Sequence, residues 1–317
     1  MRIAILGATS EIAKDLILSF SDKSSNDLVL FSRDRSLIEA WCRKVGIKES
    51  YQCLEYPSLS TDNAFDAIIN FVGSGDPAKT LAMGSNIFDI NQKYDDLVLD
   101  YLKENPYCRY LYMSSGSAYG SSFESPANQQ TKSLIDINNF QSQDFYSFSK
   151  IYSECRHRLL KDFMIVDIRI FNYFSSTQDL NSNFLIADII RTILSDKLLT
   201  VSSDNISRDF LHPDDFYQLV NVILLSPPVN DVVDAYTLSP VNKIELLDSM
   251  RANFGLNYAV LQSTTNVNSA RFKLNYYSLN KRAADFGYSP FFSSMNGVLQ
   301  QAKKILEVQK LLSESRK

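Results

Sequence analysis

A tyrosine and a lysine four residues apart, in Tyr146-Ser147-Phe148-Ser149-Lys150, are the residues whose types and spacing speak first of chemistry. On a helix, positions i and i+4 lie one above the other on one face. A free tyrosine, with a pKa of about 10, is a poor base at neutral pH. A lysine cation beside it favours the phenolate and is expected to lower that value. The tyrosine can then exchange a proton with a hydroxyl or a ketone while a hydride moves at the same carbon. A surface helix pair without function has the same spacing, so the motif needs support. Upstream, the apolar run Tyr110-Leu111-Tyr112-Met113 opens into Ser114-Ser115-Gly116-Ser117-Ala118-Tyr119-Gly120. A hydroxyl at the carboxyl end of a parallel strand stands where sites form in open sheets. From there it can donate to a reacting oxygen and stabilise growing negative charge.

These residues need elements to position them. Ile3–Leu6, Leu28–Phe31, Ala67–Phe71, Tyr110–Met113 and Ile165–Ile170 read as buried strands. Between them, Ile12–Phe20, Ser36–Val45, Asn91–Lys103 and Tyr146–Leu160 read as helices. Alternation of this kind predicts an α/β fold with a Rossmann-type, doubly wound parallel sheet. After Asn172 the pattern loosens. Leu185–Leu194, Asp214–Leu225 and Ser294–Leu312 look helical, and Ser175–Asn183 reads as a polar loop. The expected division is a dinucleotide-binding domain over residues 1–172 and a smaller substrate-binding lobe over 173–317, with some later segments returning to the sheet.

The first strand ends in Gly7-Ala8-Thr9-Ser10-Glu11-Ile12-Ala13. A dinucleotide fold needs small residues here, so that backbone N–H groups approach a pyrophosphate at a helix N-terminus. Only Gly7 is a glycine, with Ser10 and Ala13 where two more would stand. Hydroxyls of Thr9 or Ser10 are candidates for phosphate oxygens; an ordinary strand-to-helix turn is the plainer reading. The second strand ends Phe31-Ser32-Arg33-Asp34-Arg35. An acidic residue at this point would accept from the ribose 2′-OH of NAD, whereas an arginine pairs with the 2′-phosphate of NADP. Ser32 and Arg33 tilt the expectation to NADP(H), with NAD(H) as the other possibility. Asp34 or Arg35 would reverse it if the strand ran one residue further, and a solvated charge at a helix start is the bland alternative.

The bulk composition removes whole classes. The formal net charge of −4, from 32 basic and 36 acidic residues, leaves no electrostatic footprint for nucleic acid. Four cysteines without a CxxC pair and two histidines, His157 and His212, argue against a zinc site and for free thiols. The N-terminus reads straight into a strand, and no apolar run would span a bilayer. The cytoplasm is the expected location, with no membrane partner.

Together these motifs resemble the extended short-chain dehydrogenase/reductase family, the group of nucleotide-sugar epimerases, dehydratases and reductases. The resemblance runs from the first residue to about Asp215. Ser114–Gly120 is similar to the family's S-S-x-x-V-Y-G, which makes Ser115 its catalytic serine beside Tyr146 and Lys150. Asn91 matches the helix asparagine of N-x-x-G/T, although Gln92-Lys93-Tyr94 follow it. The resemblance implies a cofactor against Gly7, Thr9, Ser10, Glu11, Ile12, Ser32, Arg33, Phe71, Val72, Gly73, Asn91, Tyr146 and Lys150. It implies a nucleotide-diphosphate sugar against Ser115, Gly116, Ser117, Asn172 and Arg208. Asn172 closes Asp167–Asn172, similar to L-R-x-F-N, and Arg208 opens Arg208–Asp215, similar to R-D-F-I-H-V-D-D. A diphosphate suits a forked cation and an amide. An ion pair of Arg208 with Asp209 or Asp214, and a loop Asn172 bonded to its own backbone, are the structural alternatives. His212 reads as structural, and His157 as a surface residue of the helix after Lys150. Leu199-Thr200-Val201 could line the base.

Relatives that dehydrate carry an acid pair after the catalytic hydroxyl, where this chain has Gly116 and Ser117. Relatives that epimerise beside a ketone use a cysteine where Ser117 stands and a histidine soon after the L-R-x-F-N strand, which is missing here. Hydride transfer at one carbon remains: a 4-ketosugar reductase using NADP, or a 4-epimerase that retains NAD. A non-catalytic dinucleotide-binding protein is the alternative of another class; such relatives typically lack the tyrosine or the lysine. Family members often dimerise through two helices per subunit, here those holding Leu97, Tyr101, Tyr152 and Leu159, so a homodimer is expected, although these positions would equally suit packing on the sheet.

Overall fold

The computed structural model describes residues 1–47, 51–60, 63–73, 80, 82–142, 144–261 and 273–314. The chain begins β1 (Arg2–Leu6), α1 (Glu11–Lys23), β2 (Asp27–Ser32), α2 (Arg35–Val45), β3 (Gln52–Glu55) and β4 (Ala67–Asn70). It continues through α3 (Asn86–Glu104), β5 (Arg109–Ser115), α4 (Asp144–Leu159), β6 (Ile165–Ile170) and β7 (Asn172–Tyr173). Next come α5 (Leu185–Ser195), β8 (Leu198–Ser202), β9 (Ser207–Arg208), β10 (Phe210–Leu211), α6 (Pro213–Leu225) and β11 (Asp231–Asp234). The last elements are β12 (Val241–Asn242), α7 (Lys243–Phe254), β13 (Asn257–Leu261), β14 (Asn275–Tyr276) and α8 (Ser294–Glu314).

Seven strands pair in the order β11-β6-β5-β4-β1-β2-β3, every pair parallel. The period of two explains how one sheet carries two cores. Ile3, Ile5, Leu28, Leu30, Ile69 and Leu111 face one side, with Leu16, Ile17 and Phe20 of α1 and Phe216, Leu219 and Ile223 of α6. Their neighbours Ala4, Leu6, Val29, Phe31, Ile68, Tyr110 and Tyr112 face the other, with Val98, Leu99 and Leu102 of α3. The winding direction reverses between β1 and β4, and the crevice beyond their carboxyl ends is where an open sheet takes a ligand.

Helix starts follow side-chain chemistry. Ser10 caps α1, Asp34 caps α2, and His212 caps α6 with Pro213 in its first turn. The later part of the chain builds its own core from Ile186, Ile189 and Ile190 of α5, Leu246, Leu247 and Met250 of α7, and Val298, Ala302 and Ile305 of α8. Two later segments rejoin the first layer: β11 extends the sheet beside β6, and α6 sets Tyr217 edge-on to Phe20 of α1 at 5.5 Å. No helix among the described residues is long and apolar enough to cross a membrane.

Of the two placements its sequence allows, Tyr101 takes packing on the sheet: its ring is buried, and its hydroxyl accepts from the Phe65 N–H. One sequence reading is corrected: His157 is not on the surface. It is fully buried, with Nδ1 2.6 Å from Asp167 and Nε2 2.9 Å from Asp95. Its helix packs inward where a single polar residue can be satisfied on both ring nitrogens. Tyr110 donates to the same Asp95 oxygen, and Arg156 and Arg158 approach the two carboxylates from outside.

Burial alone would discharge His157, but the carboxylates of Asp167 and Asp95 outweigh it and raise its pKa to about 9. A value raised on folding stabilises fully below the unfolded value of about 6.5 and is lost as pH rises through the folded one. Urea unfolding should therefore lose about 3 kcal/mol from this group between pH 6 and pH 10. A stability independent of pH in that window would show that His157 is neutral in the fold.

Candidate active site

The turn after β1 is shaped by a close approach. Gly7 has φ of 74°, and a Cβ there would lie 2.9 Å from the Phe71 carbonyl carbon. Only glycine meets both conditions at low cost. Ser10 donates its N–H to Gly7 O, and its hydroxyl accepts from Ala13 N at 3.3 Å, so that hydroxyl serves as the α1 cap. Thr9 is exposed at the mouth of the turn, and Ile12 packs against the core. The Glu11 side chain turns away to the 175–183 loop, accepting from Asp179 N at 2.8 Å and from Gln178. At the end of β2, Ser32 is buried and donates to Asp34 O, while Arg33 is exposed. The Asp34 carboxylate accepts from Ser36 N and Ser36 Oγ. Those bonds hold it below the usual carboxylate range. Tyr56, which no motif marked, is buried beside this turn against the Gly7 backbone, its ring tilted against Tyr94 with centres 4.5 Å apart.

Across the crevice, Phe71 donates its N–H to Leu6 O and Val72 to Asn70 Oδ1. Gly73 has φ of 139°, and a Cβ there would meet Asn91 Oδ1 at 3.1 Å and Lys150 Nζ at 3.9 Å. Asn91 donates to Ser149 Oγ, but its Oδ1 is buried without a partner among the described residues. An orphaned acceptor beside a glycine cradle and a buried ammonium fits a polar ligand reaching into the crevice, and a nicotinamide dinucleotide is of that kind.

Ser115, Tyr146 and Lys150 converge at the same sheet edge. Ser115 ends β5, with its hydroxyl accepting from Ser117 N at 3.2 Å. The half-buried Tyr146 side chain lies beside the Ser115 hydroxyl. Lys150 is buried, donates to Met113 O at 2.8 Å and Tyr112 Oη at 3.1 Å, and lies 5.9 Å from the Tyr146 ring centre. Burial depresses the Lys150 pKa to about 8, against the pull of Asp95, Glu154 and Asp167. Tyr146 departs from expectation: burial drives it well above its ordinary value, Tyr276 adds to the rise, and the Ser115 hydroxyl only partly offsets them. The phenol is therefore protonated at neutral pH.

The α4 helix is fastened beneath these residues by Glu154. Its carboxylate accepts from Ser114 Oγ and from the fork of Arg169 on β6. Arg169 also meets Asp234 of β11 at 3.5 Å and lies 4.3 Å over the Tyr119 ring, whose hydroxyl donates to Asp234.

The residues read as substrate contacts gather around a tyrosine that no motif pointed to. Tyr276, on β14, places its hydroxyl 3.2 Å from Ser115 Oγ and 3.0 Å from Ser117 Oγ. Asn172 donates to Asp209 O and Tyr276 O at 3.4 Å each, and so bonds beyond its own loop. Arg208 donates to Ser207 O and Lys273 O and lies 5.9 Å over the Tyr276 ring, its pKa lowered to about 10 by burial. The alternative ion pairs are not formed: Asp209 accepts from Thr237 and Ser294, and Asp214 pairs with Lys23. A Cβ on Gly116 would fall 2.4 Å from the Phe171 ring. His212 is structural, capping α6 and stacking on Phe292 at 3.9 Å.

Residues 3–238 match the NAD dependent epimerase/dehydratase family. The chain belongs to that family. Its fold is also that of solved structures at low identity. A UDP-glucose-4-epimerase from Stenotrophomonas maltophila with bound NAD and formylated UDP-arabinopyranose superimposes with a TM-score of 0.79 at 14% identity, over 99% of each chain. A mutant UDP-glucuronic acid 4-epimerase from Bacillus cereus, in complex with a 4-deoxy-4-fluoro analogue of UDP-glucuronic acid and NAD, gives 0.77 at 16%, over 97% of this chain and 100% of that one. A dTDP-glucose 4,6-dehydratase from Bacillus anthracis in complex with NAD gives 0.77 at 13%, over 98% of each. Among curated proteins no match is found. The sequence expectation is that a charged Lys150 ammonium assists Tyr146. Turnover should therefore decline as pH rises through about 8. A pH profile of kcat/KM checks this; a profile flat to pH 10 would separate the lysine charge from the chemistry.

Proposed function

We propose that the chain is an NADP(H)-dependent reductase of a nucleotide-diphosphate 4-keto sugar. The observation that carries this reading lies at the end of β2. The Asp34 carboxylate is committed to the start of α2, and Arg33 is left exposed beside it. An acceptor for a ribose 2′-OH is thus tied up, while a donor for a 2′-phosphate is free to act. The residues that would hold the cofactor are Gly7, Thr9, Ser10, Glu11, Ile12, Ser32, Arg33, Phe71, Val72, Gly73 and Asn91, Ser10 through its backbone and Glu11 through its own N–H at the helix start. When bound, the reduced nicotinamide supplies the hydride.

The chain's own residues do the rest. Asn172 and Arg208 hold the diphosphate, while Gly116 and Ser117 border the sugar. Ser115 donates to the carbonyl oxygen at C4, and Tyr146 delivers its proton to that oxygen as the carbon is reduced. A neutral Tyr146 suits this direction. Lys150 binds the nicotinamide ribose and favours the phenolate that is left, which solvent reprotonates. In this reading residues 1–172 carry the cofactor and 173–317 mainly the sugar nucleotide. A cytoplasmic homodimer accords with it, through a face that includes the exposed Tyr152 and Leu159.

A second reading is a 4-epimerase that keeps NAD between turnovers. The bonds of Glu11 to Gln178 and Asp179 favour it, because they close the 175–183 loop over the start of α1 and would hinder cofactor exchange.

Fluorescence titration with NADPH and NADH separates the two. The reductase should prefer NADPH and release it on dilution, and Arg33→Ala should weaken NADPH by about 10- to 100-fold with little change for NADH. NAD that survives purification would establish the epimerase. Tyr146→Phe should cut turnover of dTDP-4-keto-6-deoxyglucose by about 1,000-fold while cofactor affinity holds. Undiminished turnover would remove Tyr146 from the chemistry.

A further inference from the structure

Lys273 stands just before β14, with its ammonium 3.3 Å from Ser117 Oγ and 4.6 Å over the Tyr276 ring. Among the described residues it meets a hydroxyl and a ring face rather than a carboxylate. Ser117 Oγ lies 3.0 Å from Tyr276 Oη, which lies 3.2 Å from Ser115 Oγ. Four polar groups thus form one continuous line ending at the hydroxyl beside Tyr146.

The line has a direction. A lysine ammonium donates and cannot accept. Ser117 Oγ accepts from it, which leaves its own proton available to Tyr276 Oη, and Tyr276 in that arrangement donates to Ser115 Oγ. Ser115 Oγ already accepts from Ser117 N at 3.2 Å. With Tyr276 as a second donor both of its lone pairs are occupied, and its one proton must point away, to the side where Tyr146 sits and a reacting oxygen would lie. The line is also held rigid. Tyr276 is 7% exposed, and its ring meets Phe123 at 4.8 Å and Phe171 at 5.2 Å. Its strand pairs with β9 through Arg208.

We propose that Lys273, Ser117 and Tyr276 form a directed donor line that polarises the Ser115 hydroxyl toward the substrate oxygen, Lys273 and Tyr276 being positioning residues for the reduction. Successive hydrogen bonds in a dry site strengthen one another, and a cation at the head adds to the effect. The benefit falls on negative charge that grows on the oxygen during hydride transfer, so it belongs to the transition state rather than to binding. The proposal rests on the reductase reading and adds to it the residues that act through Ser115.

The test is a double-mutant cycle on the full chain, with NADPH and dTDP-4-keto-6-deoxyglucose, and with NADP⁺ and UDP-glucuronic acid in the reverse sense. Lys273→Met and Tyr276→Phe should each lower kcat and kcat/KM by about tenfold, with KM changed less than about threefold. The double variant should also lose about tenfold, not a hundredfold, because either change cuts the same line. Lys273→Arg should restore most of the rate. Ser117→Ala interrupts the line without removing a ring, and thermal melting of each variant identifies a folding defect. Effects that multiply in the double variant, or a raised KM with intact kcat in Lys273→Met, would overturn the proposal and make Lys273 a simple anion contact. A wild-type chain that turns over neither probe, or an active Tyr146→Phe, would overturn the reductase reading and this proposal with it. An inactive Tyr146→Phe with a multiplicative cycle would overturn the proposal alone.

Discussion

Arg169 is the buried charge on which the candidate site depends. Its fork grips Glu154 of α4, its far side reaches Asp234 of β11, and its plane covers Tyr119. Glu154 in turn takes the Ser114 hydroxyl, one residue before Ser115. One guanidinium thereby fixes α4, β5, β6 and β11 relative to one another at the carboxyl edge of the sheet. Desolvating these charges is costly, and leaving one of them alone would cost about 3–5 kcal/mol. The network is therefore all-or-nothing, and it sets the height of Tyr146 and Lys150 over the end of β5.

Above this anchor, at the candidate site itself, the two halves of the chain meet through hydroxyls and aromatic rings. Tyr119, Phe123, Phe171 and Tyr276 form a small cluster of their own beside the larger cores. It joins the segment after β5, the end of β6 and a strand more than a hundred residues later. Rings have few rotatable bonds and locate a polar tip with little entropic loss. The hydroxyl of Tyr276 is for that reason as well placed as those borne by the sheet itself.

The sheet was legible because its strands are apolar on both faces and alternate with amphipathic helices. Every strand inferred before residue 171 is present within a few residues of its inferred ends. What escaped has physical reasons. β3 is a short edge strand with exposed ends, and β11 shows only Val232 and Val233 between acidic residues. Neither offers a run long enough to stand out. Ser115, Tyr146 and Lys150 could be named from spacing because helix and strand geometry are local. Tyr276 and Lys273 could not, since β14 reaches the site by pairing with β9 across a long stretch of sequence. His157 misled for a related reason: the carboxylates that make its burial tolerable come from α3 and β6, and nothing near it in sequence announces them.

Gly116 bears on the history such a chain can have. The acid pair of dehydrating relatives would begin at this position, and here even a single added carbon would strike the Phe171 ring at 2.4 Å. That ring packs among Tyr119, Phe123 and Tyr276, so its withdrawal would disturb all three contacts. An aspartate could enter only after Phe171 had shrunk, and a shrunken Phe171 would first loosen the cluster that seats Tyr276. The intermediate genotype loses packing before it gains an acid. Drift by single substitutions is thus channelled away from elimination chemistry, and the shape of one aromatic ring narrows what this lineage can readily become.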